Sequence, residues 1–406
     1  MSNQVFQILK EFPIPLSQSQ CVLHKHELII CGGLGQRACY SYHTLKNEYK
    51  FICEYPSNVE LSGHCVSNQI TLLSFGSNFN GRDKHTLVMK YVSVWSDISN
   101  KSNELSNYNQ WIPFTDDHNN PIIIGRDQNY NYQGVRAVIG GSNNHLLFIT
   151  HRSNDINVFN LNTFQFIKHD TLPIDRAIFY HCFVSKSENG QGQEMMKTNK
   201  QNYQMMLFCR KAGLSIEYDE DNNTFQFHKV PVSKDIALFY AYAYVCINDV
   251  ILFFGGYGSG ISKSVYKYSI RENKWMTFKN ALPNSLYYCA ATLNEENNDI
   301  YIIGGKDDKH VSVSTHMMTK MRLWDVSQLT KQEIKYIIEY WIRTSEINFG
   351  WIDDFDKIII KFIILVIDAT FLKFNRSKKK LFYHMNLLHT DFILLCIVDN
   401  QLSFFF

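Results

Sequence analysis

The chain has 406 residues, with 40 Lys and Arg against 38 Asp and Glu, a formal net charge of +2. That near-neutral balance offers no electrostatic footprint for nucleic acid or an anionic membrane surface. A length of this order can bury a sizeable core, and 45% hydrophobic with 14% aromatic residues suits stacked β-structure.

In chain order, the opening stretch "MSNQVFQILKEF" has neither a basic start nor an apolar run, so it is not expected to be a signal peptide. The segment "FQILKEFPIP" (6–15) reads as a lone strand. Next, "ELIICGG" (27–33) leads to "CYSYHTLKNEY" (39–49), an apolar strand, a glycine pair and a second strand with a polar turn. The same plan returns near Gly76-Ser77, near 150 in "LLFITHR", near 209 in "MMLFCRK", at Gly255-Gly256 and at Gly304-Gly305. Six anchors predict six repeats. Two long gaps hold the polar insertions 96–110 with 115–134, and 185–202, and these read as long, partly disordered loops outside the core.

An aromatic pair sharpens the repeat. Tyr42 precedes Tyr49 by seven positions, and the same spacing links Phe159 to Phe166, Tyr218 to Phe225, and Tyr268 to Trp275. A polar turn lies inside each pair, so each pair is expected to face across a hairpin. The stretch "VILFFGGYGSGISKSVYKYSIRENKW" (250–275) could be mistaken for a phosphate-binding turn. Its glycines, however, are spaced G-x-G-x-G, and an alternating strand follows where a phosphate loop needs a helix.

An apolar strand ending in two glycines, then a Tyr, then a Trp seven residues on, resembles the kelch repeat. The fifth unit, about 238–283, is the best match, and the resemblance covers about residues 1–325. It implies an all-β kelch-type β-propeller of six four-stranded blades. The sixth unit lacks an outer strand and the N-terminus has a spare one. Residues 5–11 are therefore expected to pair beside the strand near 311–317 and close the ring.

Ten cysteines occur without CxxC or finger-type Cys/His spacing, so no metal site is expected, and reduced buried thiols imply a cytoplasmic location. Cys21 and Cys65 each sit eleven residues before a glycine anchor, which suggests one shared register on inner strands. His64 and His181 directly precede cysteines. Adjacent strand residues face opposite sides, so these are read as histidines at strand starts near solvent rather than as nucleophile partners.

From about 326 the period changes. "TKQEIKYIIEYWIRT" carries an apolar helical face over about 330–344, opened by a Thr330/Glu333 capping box. The C-terminal extension, 326–406, contains "IIIKFIILVIDATFL", too short and too charged for a membrane span.

The sequence holds no HExxH, GxSxG or Walker motif, and no cofactor is expected. The favoured function is a non-enzymatic scaffold that binds a protein or peptide partner through the loops of one face. A substrate-recognition adaptor of a ubiquitin ligase is a narrower alternative, and an oxidase of the galactose-oxidase type a more distant one. Loops between second and third strands share a face with the loops between blades. They place Arg37, Arg82, Asp83, Arg152, Lys211, Tyr257 and Lys306 there, together with Arg176 from an inter-blade loop, a mostly basic rim suited to an acidic peptide.

Overall fold

The computed structural model describes residues 5–67, 71–96, 108–186, 202–325, 396–398 and 401–403. The chain divides into two units, Met1–Met321 and Arg322–Phe406. The helix expected at 330–344 and the middle of both insertions (97–107 and 187–201) lie outside the described residues.

Strand β1 (Gln7–Ile8) comes first. Blade 1 follows as β2 (Gln20–His24), β3 (Glu27–Gly33), β4 (Gln36–His43) and β5 (Glu48–Glu54). Blade 2 is β6 (Cys65–Ser67), β7 (Thr71–Ser77), β8 (Lys84–Lys90) and β9 (Ile112–Pro113). Blade 3 is β10 (Arg136–Gly140), β11 (Leu146–His151), β12 (Asp155–Asn160) and β13 (Gln165–Thr171). Blade 4 is β14 (Cys182–Ser185), β15 (Asn202–Cys209), β16 (Ala212–Asp219) and β17 (Thr224–Lys229). Blade 5 is β18 (Ala243–Ile247), β19 (Val250–Phe254), β20 (Ser264–Ser269) and β21 (Lys274–Ala281). Blade 6 has β22 (Ala290–Asn294), β23 (Asp299–Ile303) and β24 (His316–Lys320), and β1 is its outer strand. All pairings between these strands are antiparallel, and together the six sheets form a β-propeller.

Ring closure follows the expectation from the spare strand. Gln7 pairs with Met318 and Ile8 with Met317, and beyond the strand Leu9 N–H donates to His316 O and Phe12 N–H to Ser314 O, both at 2.9 Å. Phe6 and Phe12 are buried on either side of this short strand. A two-residue strand contributes few ladder bonds, so these two rings supply much of the closure.

Burial follows strand order. The second strand of each blade lies between neighbouring blades and is covered on both faces, so β19 reads Val-Ile-Leu-Phe-Phe without alternation. The outer strands β13 and β17 alternate exposed and half-buried residues, as one-sided strands do. The core is therefore a series of layers between blades. One layer joins Phe148 and Val158 of blade 3 to Leu207, Leu214 and Ile216 of blade 4. Another joins Phe208 to Phe253 and Tyr268 across blades 4 and 5.

The four aromatic pairs meet across their hairpins. Tyr42–Tyr49, Phe159–Phe166, Tyr218–Phe225 and Tyr268–Trp275 are direct cross-strand partners, with ring centroids 4.9–5.1 Å apart. In three of these hairpins the tyrosine hydroxyl reaches the turn: Tyr42 donates to Asn47, Tyr218 to Asn223 and Tyr268 to Asn273, at 2.9, 2.8 and 2.6 Å. Each of these asparagines has a positive φ, which Asn tolerates better than most residues.

Three readings need correction. Insertion 115–134 is not excluded from the core, because Ile124 and Tyr132 are fully buried and pack with Phe75, Leu147 and Ile149. Its polar residues make the loop's outer side and hid two apolar anchors. His64 and His181 are not near solvent, since both are fully buried. Burial there depresses both imidazole pKa values well below the usual range, so both rings are held neutral. Lastly, Cys21 and Cys65 lie on inner strands but not in one register: Cys21 pairs with Ile30, two residues before Gly32, whereas Cys65 pairs with Phe75, directly before Gly76.

Candidate functional site

Each inter-blade connection enters its inner strand through one residue with positive φ. These are Gln18, Gly63, Gly134, Tyr180, Ala241 and Tyr288, with φ between 49° and 65°. At each of them the backbone turns at the mouth of the central channel, and hydrogen bonds link them from blade to blade. Gln18 N–H donates to Tyr288 O, Tyr288 to Ala241 O, Ala241 to Tyr180 O, and Tyr180 to Gly134 O, at 2.8–3.1 Å. Gly134 N–H then reaches Ser62 O at 3.0 Å. Buried donors that no single blade could satisfy are thus paired across blades.

Tyr180 closes this mouth. Its hydroxyl donates to Gln18 Oε1 at 2.9 Å and meets Ser62 Oγ at 3.2 Å. That carries the side chain from blade 4 across to the entries of blades 1 and 2. Room for the ring comes from the two glycines of this series: a Cβ on Gly63 would lie 2.2 Å from Tyr180 Cε1, and one on Gly134 would lie 2.7 Å from Tyr180 N. Tyr288 packs on Tyr180 with ring centroids 4.5 Å apart. The space left beneath is a cavity of ≈ 20 Å³ lined by Gln18, Ser19, Gln20, Arg136, Tyr180 and Tyr288 among others.

Outward of this ring, blades 3 to 6 carry a continuous aromatic–arginine chain. Arg152 lies 5.6 Å from the Phe179 ring centroid, and Arg210 lies 5.6 Å from Phe179 and 4.3 Å from Tyr240. The chain continues from Tyr240 to Tyr257 (5.7 Å), from Tyr257 to Tyr287 (4.9 Å), and on to His310, whose Nδ1 sits 2.8 Å from the Tyr287 hydroxyl. Guanidinium groups held over ring faces keep their charge and much of their hydrogen-bonding capacity while losing side-chain freedom. Tyr240 and Tyr287 are buried, whereas Arg152, Arg210 and Tyr257 reach the surface.

The residues expected on this face separate into two groups. Arg152 and Tyr257 belong to the aromatic–arginine chain, and Lys306 adjoins it through a backbone bridge to Tyr287. Lys211 is exposed next to Arg210. The others lie apart from the chain. Arg37 turns to its own outer strand, where it pairs with Glu54 at 3.2 Å and donates to Tyr55 O. Asp83 accepts from Asn78 at 2.6 Å within the blade 2 loop, beside exposed Arg82. Arg176 is exposed on the loop leading to blade 4.

The glycine pairs mark where blades touch. Gly255 and Gly304 have φ of +69° and +63°, and a Cβ on either would strike a backbone oxygen of the next inter-blade connection, Leu286 O at 2.2 Å or Leu16 O at 2.5 Å. The following residues hydrogen-bond to those same oxygens, Gly256 N–H to Leu286 O at 2.9 Å and Gly305 N–H to Leu16 O at 2.7 Å. Residues 239–280 match the Kelch motif family model. The chain is a six-bladed β-propeller whose fifth blade carries a Kelch motif. Among solved structures, 960 chains match it. One, titled "Structure of YjhT", is 14% identical, with a TM-score of 0.53, over 76% of this chain and 96% of that one. At that identity the likeness concerns fold alone. No curated protein matches the chain in sequence.

Within the propeller, the sequence reading missed Phe179, Arg210, Tyr240 and Tyr287. A signal was there. "IFYHC" (178–182), "FYAYA" (239–243) and "LYYCA" (286–290) each put an aromatic one residue before the positive-φ position, where blades 1 to 3 have Ser17, Ser62 and Gln133. Repeat alignment on the inter-blade turns, rather than on the glycine pairs, exposes it.

Proposed function

We propose that this kelch propeller is a non-enzymatic interaction module, and that blades 3 to 6 bind an acidic peptide segment of a protein partner. The observation that carries this reading is the chain Arg152–Phe179–Arg210–Tyr240–Tyr257–Tyr287 on one face. Arg and Tyr combine contact area with donors, and they are the residue types that dominate binding energy at interfaces. The non-enzymatic part is supported by the channel mouth, where Tyr180 leaves space for about one water rather than for a substrate. Buried unpaired thiols support a reducing compartment, the cytoplasm.

The test is selection of peptides from a displayed library on the intact chain, followed by affinity measurement. Selected peptides should be enriched in Asp and Glu, and Arg152→Ala with Arg210→Ala should weaken them about thirty-fold, the effect of losing one to two anchors. Arg37→Ala with Arg82→Ala should leave binding within about three-fold. Equal losses from both pairs, or selection of peptides without acidic enrichment, would overturn the reading.

A further inference from the structure

We infer that the neck of the central channel is a binding site for one small inorganic anion of halide size, held by Arg136 and Ser19. Arg136 enters the channel from β10, the inner strand of blade 3, and its side chain is half-buried. One terminal nitrogen, Nη1, donates to Val135 O at 2.8 Å and to Gly63 O at 3.5 Å, and the guanidinium sits 5.9 Å from the Tyr180 ring centroid. Among the described residues no carboxylate pairs with it, and its remaining N–H groups have no protein acceptor. A half-buried charge is costly unless a counter-charge offsets it.

The surroundings supply no such charge. His64 and His181 are buried and neutral, and the thiols of Cys65 and Cys182 are driven further toward their protonated form by burial. The cationic neck is instead lined by donors. Ser19 lines the cavity, is 3% exposed, and its hydroxyl has no hydrogen-bond partner. Gln18, which also lines the cavity, accepts the Tyr180 proton at Oε1 and so keeps its amide N–H₂ as a donor. A guanidinium, an unpartnered hydroxyl and an amide donor around ≈ 20 Å³ form a cradle for a species of about one water's size carrying negative charge. Chloride meets both requirements, while larger organic anions do not fit.

The experiment melts the intact chain in sodium chloride, sodium bromide and sodium gluconate at one ionic strength. Chloride and bromide should raise Tm saturably, by about 2 °C at concentrations well above Kd, and gluconate should not. Arg136→Met should abolish the difference between anions, and Ser19→Ala should shift its midpoint to higher halide. If Arg136→Met does not fold, a crystal of the unaltered protein soaked in bromide decides the matter, with one anomalous peak expected within hydrogen-bonding distance of Arg136. Equal melting in chloride and gluconate, an anion response that survives Arg136→Met, or no bromide peak in the neck would each refute the site.

Discussion

Gly255→Ala tests whether the kelch glycine pair is fixed by backbone conformation, by the neighbouring blade, or by both. Two costs are expected. The φ of +69° puts an L-residue in the left-handed region, at about 1–2 kcal/mol. The new Cβ would lie 2.2 Å from Leu286 O, so blade 5 and the connection into blade 6 must separate. That movement strains the hydrogen bond from Gly256 N–H to the same oxygen, a contribution of about 0.5–1.5 kcal/mol. The sum is about 1.5–3.5 kcal/mol, and at roughly 2–4 °C per kcal/mol the melting point should fall by about 3–14 °C. Two other glycines divide the effect. Gly35 has φ +68° and Gly260 does not lie in the positive-φ region, and neither has any atom within 4 Å of the added Cβ. Gly35→Ala should therefore show the conformational cost alone, and Gly260→Ala almost none. Calorimetry on the three variants gives the comparison. If Gly255→Ala melts within about 1 °C of Gly35→Ala, the inter-blade collision is not what requires glycine here.

Deleting residues 1–12 removes β1 and the buried rings of Phe6 and Phe12, so the truncated chain should melt lower and expose the edge of β24; unchanged melting would refute closure by the N-terminal strand. Tyr268→Phe keeps the ring contact with Trp275 but loses the hydroxyl bond to Asn273, and chemical denaturation should show a loss of about 1 kcal/mol. Burial lowers the His85 pKa to about 4 and those of His151 and His316 to about 3, so the unfolded chain binds more protons than the folded one below its own histidine pKa of about 6.5. Their contribution is complete above that pH and is lost as pH falls toward the folded values. At pH 5.5 each should have cost about 1 kcal/mol, and a Tm that stays level from pH 7 to 5.5 would contradict this.

Much of the fold was legible because its determinants are local. The Tyr42–Tyr49 spacing reports a hairpin whose two ends must face each other, and four copies of that spacing report four hairpins. The spare strand at 6–15 was legible as a deficit in the sixth unit. Burial that depends on other blades was not. His64 and His181 sit at strand starts, as read, but the ring folds those starts into the channel wall and removes them from water. Ile124 and Tyr132 lie in a segment whose average polarity suggests solvent, while two residues alone decide where it packs. The candidate site was half legible for the same reason. Loop membership identified Arg152, Tyr257 and Lys306, yet only the aromatic neighbours contributed by other blades separate Arg152 from Arg37, which is spent on Glu54.

Symmetry gives a physical way to tell scaffold from function in this molecule. A propeller position that serves closure alone should carry similar side chains in every blade, because the blades meet it in the same geometry. The second strands obey this and are predominantly apolar in all six. The position before the positive-φ turn does not: Ser17, Ser62 and Gln133 occupy it in blades 1 to 3, and Phe179, Tyr240 and Tyr287 in blades 4 to 6. The inter-blade hydrogen bonds from the adjacent backbone are present in both halves, so closure does not demand the aromatics. Tyr240 and Tyr287 are only 9% and 5% exposed and Phe179 is half-buried, so the three rings back Arg152, Arg210 and Tyr257 rather than offering apolar surface of their own. Asymmetry at a position the scaffold treats as equivalent calls for a cause outside the scaffold. The interface proposed for blades 4 to 6, reaching Arg152 on blade 3, would supply one.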